Sequence, residues 1–490
     1  MPQANREFGL NKKDVTEKAS AVLPTAAELR KALAKAGKTD AMARIRSLFD
    51  AKTFVELGAY TKRRFSETNP GVKEDEFEGV ICGYGAVNGE LVFAFSQDAS
   101  RMKGALDAAH ARKICALYDM AVKNGAPVVG IFDSAGTDIF EGVDALAGYG
   151  LIMQAVSRAS GVVPQIALIA GNCIGSFAAI AAMFDILVTT GSGHLYVGSP
   201  SLTGAVNAQA AVVSHDAADM LEAVAYARRV LSILPQNSSE GTPVDEAADN
   251  LNRTLDAMDL DGDVHLLLSA IADKGEYVET GADPKAPILT ALTVIGGVHC
   301  GIVASAFANK EGRIDAAAAR KAARFVDFCD AFSLPVLTLV NSAGFALCAE
   351  NEQAPFAAEL AKLATAYTRS ENAKVTVILN HAIGGAYILL GSKSVGGDVV
   401  YAFENAEIGA LSSASSVAFA LNDTISTSTS RKQLEEDWRL SLASPVAAAS
   451  TGQIDDIIGI PELRQRICSA MLLLAAKGSA KGRRHSVLPL

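Results

Sequence analysis

The chain has 490 residues, room for two large domains or three of about 150 residues each, which excludes a small peptide module. With 50% hydrophobic and 20% charged residues, 41 Gly and one Trp, its composition is that of an Ala/Gly-rich α/β protein and not of a disordered or collagen-like chain. The net charge of −10 repels polyanions, and no basic patch of convincing size argues for a nucleic-acid partner.

Residues 1–40 are expected to form a helical extension. Their first part carries Arg6, Lys12, Lys13, Asp14, Glu17 and Lys18 without an apolar core, so a secretory signal is excluded and a cytoplasmic location is expected. The seven cysteines (82, 115, 173, 300, 329, 348 and 468) never fall in a Cys-x-x-Cys spacing, which points to reduced, mostly buried thiols and to no metal site.

From Lys113 the pattern predicts an amphipathic helix, Pro127, a buried strand over 128–132 and a turn, Ser134-Ala135-Gly136. A second buried strand over 165–170 leads through Asn172-Cys173-Ile174-Gly175-Ser176 into an Ala-rich helix, and a third strand covers 185–190. That most apolar stretch is interrupted by Gly171, Asn172, Ser176 and Asp185, so it is not a membrane span, and no membrane insertion is expected.

The same succession returns 208 positions later: Lys321 matches Lys113, Pro335 matches Pro127, Ser342 matches Ser134 and Gly344 matches Gly136. Strands are predicted over 336–340, 374–379 and 398–403, with His381-Ala382-Ile383-Gly384-Gly385 in the place of the second turn at an offset of 209. Gly, Pro and acidic residues at 241–246 mark the boundary, giving a 41–243 domain and a 244–490 domain.

A glycine turn between a strand and a helix exposes backbone N–H groups at the positive end of the helix dipole. Two such groups can hold the oxyanion of a thioester enolate, and a Cβ would obstruct the approach. Gly136 and Gly175 in the first copy, and Gly344, Gly384 and Gly385 in the second, are the candidates. Two oxyanion holes in one chain suit a reaction in which two carbonyl-bearing groups both become enolate-like. Ser134 or Ser342 as a nucleophile would need a base in reach, and no triad is legible. A hydratase-type site would need paired carboxylates, with Glu141 the nearest candidate.

Segments such as FVELGAYTKRRF (54–65), GVICGYGAVNGE (79–90), NGAPVVGIFDSAG (124–136), EGVDALAGYG (141–150), RRVLSILPQN (228–237) and IGGAYILLGSK (383–393) resemble the carboxyltransferase (β-type) subunits of biotin-dependent acyl-CoA carboxylases and the acyl-CoA decarboxylase α subunits. The resemblance runs over about residues 40 to 490 and implies an α/β fold of two tandem crotonase-like (ClpP/crotonase) domains related by internal duplication. It implies carboxyl transfer between carboxybiotin and the α-carbon of a short-chain acyl-CoA, or the reverse decarboxylation, without a protein base. Alternatively, the chain is a weakened or structural paralogue that completes an assembly around an active subunit.

Carried over by position, the acyl-CoA carbonyl hole falls on Gly175 and Ser176, with Ala135 and Gly136 as its wall, and the biotin hole falls on Gly385 and Ala386. Gly344, Phe345 and Gly384 shape the biotin side, and Ile388 either lines the pocket or packs into its helix. Arg101 and Lys103, or Lys62, Arg63 and Arg64, are candidates to neutralise CoA phosphates, with a solvated basic face as the alternative. The chain has no Met-Lys-Met biotinylation site and no ATP-grasp-like loop, so the resemblance implies biotin on a carrier or biotin carboxylase partner. It also implies a dimer as the minimal unit, with a hexamer usual, and a paralogous subunit as a further partner.

The chain departs from the family pattern at several points, among them Lys103-Gly104 in place of a Gly-Gly and the lack of a Pro-Gly over 346–350. Ala135 stands for a Gly, Asp138 for an Arg beside an anionic ligand, Ser176 for a Gly and Asn341 for an Asp. The stretch 196–216 reads as shortened, His110 is a candidate to face CoA, and the basic tail 477–485 reads as surface.

Overall fold

The structure, a computed structural model, describes residues 40–63, 77–198, 212–281, 283–353, 355–425, 430–478, 485–487 and 489. The expected N-terminal extension (1–39), Arg64 and most of the 196–216 stretch lie outside them.

The first half opens with α1 (Asp40–Leu48) and β1 (Val55–Leu57), then a hairpin of β2 (Val80–Val87) and β3 (Glu90–Gln97). The hairpin turn is Asn88-Gly89, with φ of +54° and +86°, left-handed values that Asn and Gly tolerate best. Next comes α2 (Ala108–Asn124), whose N-cap Asp107 accepts a hydrogen bond from the His110 N–H at 2.8 Å and whose C-cap is left-handed Gly125. Then follow β4 (Val128–Ser134), α3 (Val143–Ala159), β5 (Gln165–Ile174), α4 (Ser176–Ala182), β6 (Ile186–Thr190), β7 (His194–Tyr196), β8 (His215–Ala217) and α5 (Met220–Ile233). Strands β3, β4, β5 and β6 are parallel, and every residue of β4 is buried, as a central strand covered on both faces requires.

The second half repeats this plan. After α6 (Val264–Ile271) and β9 (Tyr277–Glu279), a hairpin of β10 (Ile288–Ile295) and β11 (Val298–Ser305) turns at Gly296-Gly297. It feeds α7 (Ala316–Ala331), β12 (Val336–Ser342), α8 (Phe356–Arg369), β13 (Lys374–Ile383), α9 (Gly384–Leu389), β14 (Val399–Phe403) and β15 (Glu407–Gly409). Helices α10 (Ser413–Ala420) and α11 (Arg431–Leu442), strand β16 (Asp456–Ile458) and helix α12 (Leu463–Leu474) complete it.

Two strand ends differ from the expectation. Strand β5 runs to Ile174 and β13 to Ile383, several residues past the predicted ends, because their last three residues pair with the short strands β7 and β15. The turns of the sequence reading are therefore strand ends that pass through a single glycine into a helix. The hairpins were not anticipated, although Asn88-Gly89 carries their signal.

Helices α2, α3 and α4 cover one face of the first sheet, and α6 and α12 cover one face of the second. The inner faces share one core, in which Ile166 and Leu168 of β5 join Phe325, Val326 and Phe328 of α7. Polar ties reinforce the junction: Arg324 donates to the carbonyls of Phe184 (3.0 Å) and Asp185 (2.6 Å), and the Tyr226 hydroxyl donates to the Glu279 carbonyl (2.7 Å). The C-terminal residues belong to this junction and are not merely surface. His485 pairs with Asp330 at 3.0 Å, and the Val487 N–H donates to the Ser160 hydroxyl at 2.9 Å. Among the described residues, no helix is long and apolar enough to cross a membrane.

Candidate functional site

At the carboxyl ends of the central strands, the register sets Ser134 beside Cys173 in one half and Ser342 beside Ala382 in the other. In each half the two glycine turns, at Gly136 and Gly175 and at Gly344 and Gly384, therefore leave neighbouring strands at the same end of the sheet. All four glycines have left-handed or wider positive φ: +107°, +65°, +115° and +63°, in that order. The two turns are stitched identically. Ala135 N–H donates to the Lys103 carbonyl (2.9 Å) and Ala343 N–H to the Glu311 carbonyl (3.0 Å). The Gly136 carbonyl accepts from Leu106 N–H (2.8 Å) and the Gly344 carbonyl from Ile314 N–H (3.0 Å).

Within each turn the serine hydroxyl is spent on the backbone. Gly136 N–H donates to Ser134 Oγ at 3.1 Å, and Gly344 N–H donates to Ser342 Oγ at 3.3 Å. Both serines are fully buried, so neither is an exposed nucleophile. The amides of Ala135, Gly136 and Gly344 are likewise committed, which makes these residues walls and not donors.

Gly175 N–H is also committed, to the Tyr196 carbonyl at 2.8 Å. The amides without an acceptor among the described residues are those of Ser176 and Phe177, the first two residues of α4. Shifted by 209 positions they become Gly385 and Ala386 of α9. Phe177 was thus missed as a donor, and the repeat offset applied to the second hole would have found it. Ser176 has no positive φ, so replacing Gly by Ser leaves its N–H in place.

The surroundings differ. A Cβ on Gly136 or Gly175 would meet nothing within 4 Å, so the first turn opens onto space that a ligand carbonyl can enter. At the matching glycines of the second half a Cβ would stand 3.7 Å from the Ile383 carbonyl (Gly344) and 3.3 Å from the Ala410 carbonyl (Gly384), and at Gly385, the match of Ser176, it would stand 2.7 Å from the Phe345 ring, itself packed edge-on against Phe356. Ile388 is 47% exposed and so is not absorbed into its helix packing. Behind the second turn, His381 lies 3.7 Å from Glu407 with Phe307 stacked on its ring at 4.8 Å, and bonds from His381 and Ser413 pull the Glu407 carboxyl down to about 2. Asn341 bridges the Leu260 carbonyl and Asp261 (2.9 and 2.8 Å), a structural role.

Several expected anion contacts turn inward. Arg63 is buried, with Nη2 3.1 Å from both Asp107 and Asp138, so it is neither a CoA contact nor part of a solvated face. Asp138 consequently does not confront an anionic ligand as a bare charge. Arg101 binds Asp98 (3.2 Å) and the Glu78 carbonyl (2.7 Å), whereas Lys103 is exposed on the same turn. His110 is fully buried 6.1 Å from Phe177, a packed histidine. Glu141 accepts from Ala108 N–H at 2.8 Å and so caps α2. Among the described residues, no group of three His, Cys, Asp or Glu side chains could hold a metal ion.

Two α/β halves, each with a hairpin feeding a parallel sheet and each ending in a glycine turn with unpaired helix-start amides, define an enzyme of tandem crotonase-like architecture. Residues 33–488 match the carboxyl transferase domain family. The chain is 34% identical over 480 residues to a propionyl-CoA carboxylase beta chain of Roseobacter denitrificans, covering 93% of this chain and 94% of that one. It is 35% identical over 489 residues to the methylmalonyl-CoA decarboxylase subunit alpha of Propionigenium modestum, with the same coverage. A solved structure of transcarboxylase 12S, a hexamer with methylmalonyl-coenzyme A bound, superposes with a TM-score of 0.86 at 29% identity over 98% of this chain and 99% of that one. The chain belongs to the carboxyl transferase family.

Proposed function

We propose that the chain moves a carboxyl group between a biotin borne by a partner protein and the α-carbon of a short-chain acyl-CoA. The 41–243 half would take the thioester and the 244–490 half the biotin. The observation that carries this reading is the duplicated pair of helix-start amides without an acceptor among the described residues, Ser176 with Phe177 and Gly385 with Ala386, each beside a glycine that keeps a Cβ out of the way.

The amides of Ser176 and Phe177 hold the negative charge that develops on the thioester oxygen when the α proton leaves, which is where preorganised dipoles lower a barrier most. The amides of Gly385 and Ala386 do the same for the ureido oxygen of the ring. When bound, biotin would supply or accept the carboxyl group and, in exchange, take up or return the α proton. Gly136 and Ala135 wall the acyl side, Gly344, Phe345 and Gly384 wall the ring side, and Ile388 adds an apolar surface. Lys103 is an exposed cation on the acyl side available to CoA phosphates.

Exposed apolar residues flank both turns: Ile139 (78%) and Val143 (78%) in the first half, and Leu347 (78%) and Leu411 (47%) in the second. Such surface suits burial against another copy, which supports a dimer in which the first turn of one subunit faces the second turn of its partner, and a hexamer built from such dimers. The same site runs in either direction, and the decarboxylase relative favours keeping the reverse reaction as a second reading.

The test is to mix the purified chain with a biotinylated carrier and malonyl- or methylmalonyl-CoA labelled in the free carboxyl group, with unlabelled acetyl- or propionyl-CoA as acceptor. Label passing between one ester and the carrier is expected. No passage with any ester would overturn the reading, and would favour the structural paralogue if the chain co-purified with a related subunit.

A further inference from the structure

Beneath the first turn lies a buried set of charges that the second half repeats only in part, with Asp315 at the match of Asp107. Arg63 reaches in from the segment after β1, Glu78 from the residue pair before β2, Asp107 and His110 from the start of α2, and Asp138 from the loop after Gly136. Arg63 Nη2 is 3.1 Å from Asp107 and 3.1 Å from Asp138, its Nη1 is 3.9 Å from Glu78, and Glu78 is 3.4 Å from His110. Arg63, Glu78, Asp107, His110 and Asp138 are all buried.

At the matching positions of the second half stand Ala318 for His110 and Ala346 for Asp138. The backbone staple is nevertheless the same, since Asp138 N–H donates to the Leu106 carbonyl (2.9 Å) and Ala346 N–H to the Ile314 carbonyl (2.8 Å). The fold therefore does not need the charges to make this turn. Burying them costs several kcal/mol in desolvation that pairing rarely returns in full, and Arg63 Nε finds no hydrogen-bond partner among the described residues.

What the charges add is a lateral clamp on one loop. Asp138 also accepts from Phe140 N–H at 3.1 Å, so Arg63 adds a side-chain tie at Asp138 to the direct bonds that join Gly136, Asp138 and Glu141 to Leu106 and Ala108. That loop carries Gly136 and leads into the exposed Ile139, Phe140 and Val143.

We propose that Arg63 is a positioning residue for the first site: through Asp138 it sets the 136–142 wall at the distance from Ser176 and Phe177 that the acyl-CoA needs. The inference rests on the carboxyl-transfer reading for its substrate. The cluster is also tuned electrically, because burial and then the Glu78 charge push the Asp107 carboxyl up to about 7, while burial holds the His110 imidazole down.

The experiment uses the full chain with its carrier partner and compares wild type with Asp138→Asn, Arg63→Met and Arg63→Lys. Asp138→Asn keeps the side-chain shape and guards against loss of folding in the arginine variants. Asp138→Asn and Arg63→Met are expected to raise KM for the acyl-CoA about tenfold with kcat changed less than about twofold, and Arg63→Lys to recover part of the loss. Amide hydrogen exchange over 135–147 should quicken in the same order, while exchange over 343–350 stays as in wild type. Unchanged exchange over 135–147 in Asp138→Asn, or KM held while kcat falls, overturns the proposal. If the wild type transfers nothing, the functional reading fails, and the exchange comparison still decides whether Arg63 fixes the loop.

Discussion

In the first half, the space over Gly136 and Gly175 is open and the charges lie directly below. In the second, a Cβ on Gly384 would stand 3.3 Å from the Ala410 carbonyl, Gly385 backs onto the Phe345 ring, and the one arginine fully buried among the described residues of that half, Arg464, lies 2.7 Å from Asp273. Asp273 in turn accepts from the amides of Gly296 and Gly297 at 2.9 and 3.0 Å, so Arg464 secures the β10–β11 hairpin. One backbone plan thus supports two different neighbourhoods. A duplicated scaffold preserves hydrogen-bonded geometry, while the side chains around it are free to specialise for a thioester on one side and a ring on the other.

The sharpest way to break that comparison is at Gly385. A branched side chain there collides with Phe345 and intrudes on the second pair of amides, so Gly385→Val is expected to cut transfer by at least about a hundredfold, the scale of losing an oxyanion donor. The oligomer measured by light scattering should keep its size, and unchanged turnover would remove the second site from the scheme.

The next effect is on stability. Arg464→Met leaves Asp273 buried without its partner and is expected to cost about 3–5 kcal/mol in chemical denaturation. KM for the acyl-CoA should stay near wild type, in contrast to Arg63→Met. A raised KM in the Arg464 variant would mean that the two buried arginines do the same job.

Gly136→Ala and Gly344→Ala test the equivalence of the turns. Their φ of +107° and +115° lies where a Cβ strains the backbone, so each should lose about 1–3 kcal/mol, by similar amounts. A large difference between them would show that one turn relaxes and the other does not.

Asp107 gives a pH signature confined to the first half. Its carboxyl is pushed up to about 7 from an ordinary 3.8, so the folded chain holds that proton more tightly than the unfolded one. The resulting stability is full below the ordinary carboxylate range and is lost as pH rises through about 7. Asp107→Asn should flatten the fall in denaturation midpoint between pH 4 and 7; an unaltered slope would assign that fall to other groups.

The smallest effect belongs to Ser176→Ala. If only the N–H of this residue matters, removing the hydroxyl should change turnover less than about twofold, and a large loss would make the hydroxyl part of the reaction.

Much of this was legible without coordinates, because periodicity and repetition are one-dimensional signals. The buried runs over 128–132 and 336–340, the Ser-Ala-Gly turns and the matched Lys113 and Lys321 follow from apolar spacing and a constant offset. Lys113 and Lys321 each donate to an edge carbonyl of the hairpin strand, Val80 and Ile288, which explains why the pair recurs. Contacts between distant segments were hidden. The sequence places Arg63 in a basic run, and only folding reveals two carboxylates from the 107 and 138 regions closing on it. In the same way β7 and β15 are three residues long, too short for a pattern to register, yet they prolong β5 and β13 and take up the Gly175 amide.

The sequence by itself therefore determined that the chain is a doubled α/β unit with a glycine turn in each copy, since hydrophobic period and φ demands are written residue by residue. The tertiary structure alone decided which amides are left to donate and which charges are neutralised, because both depend on partners brought together from far along the chain.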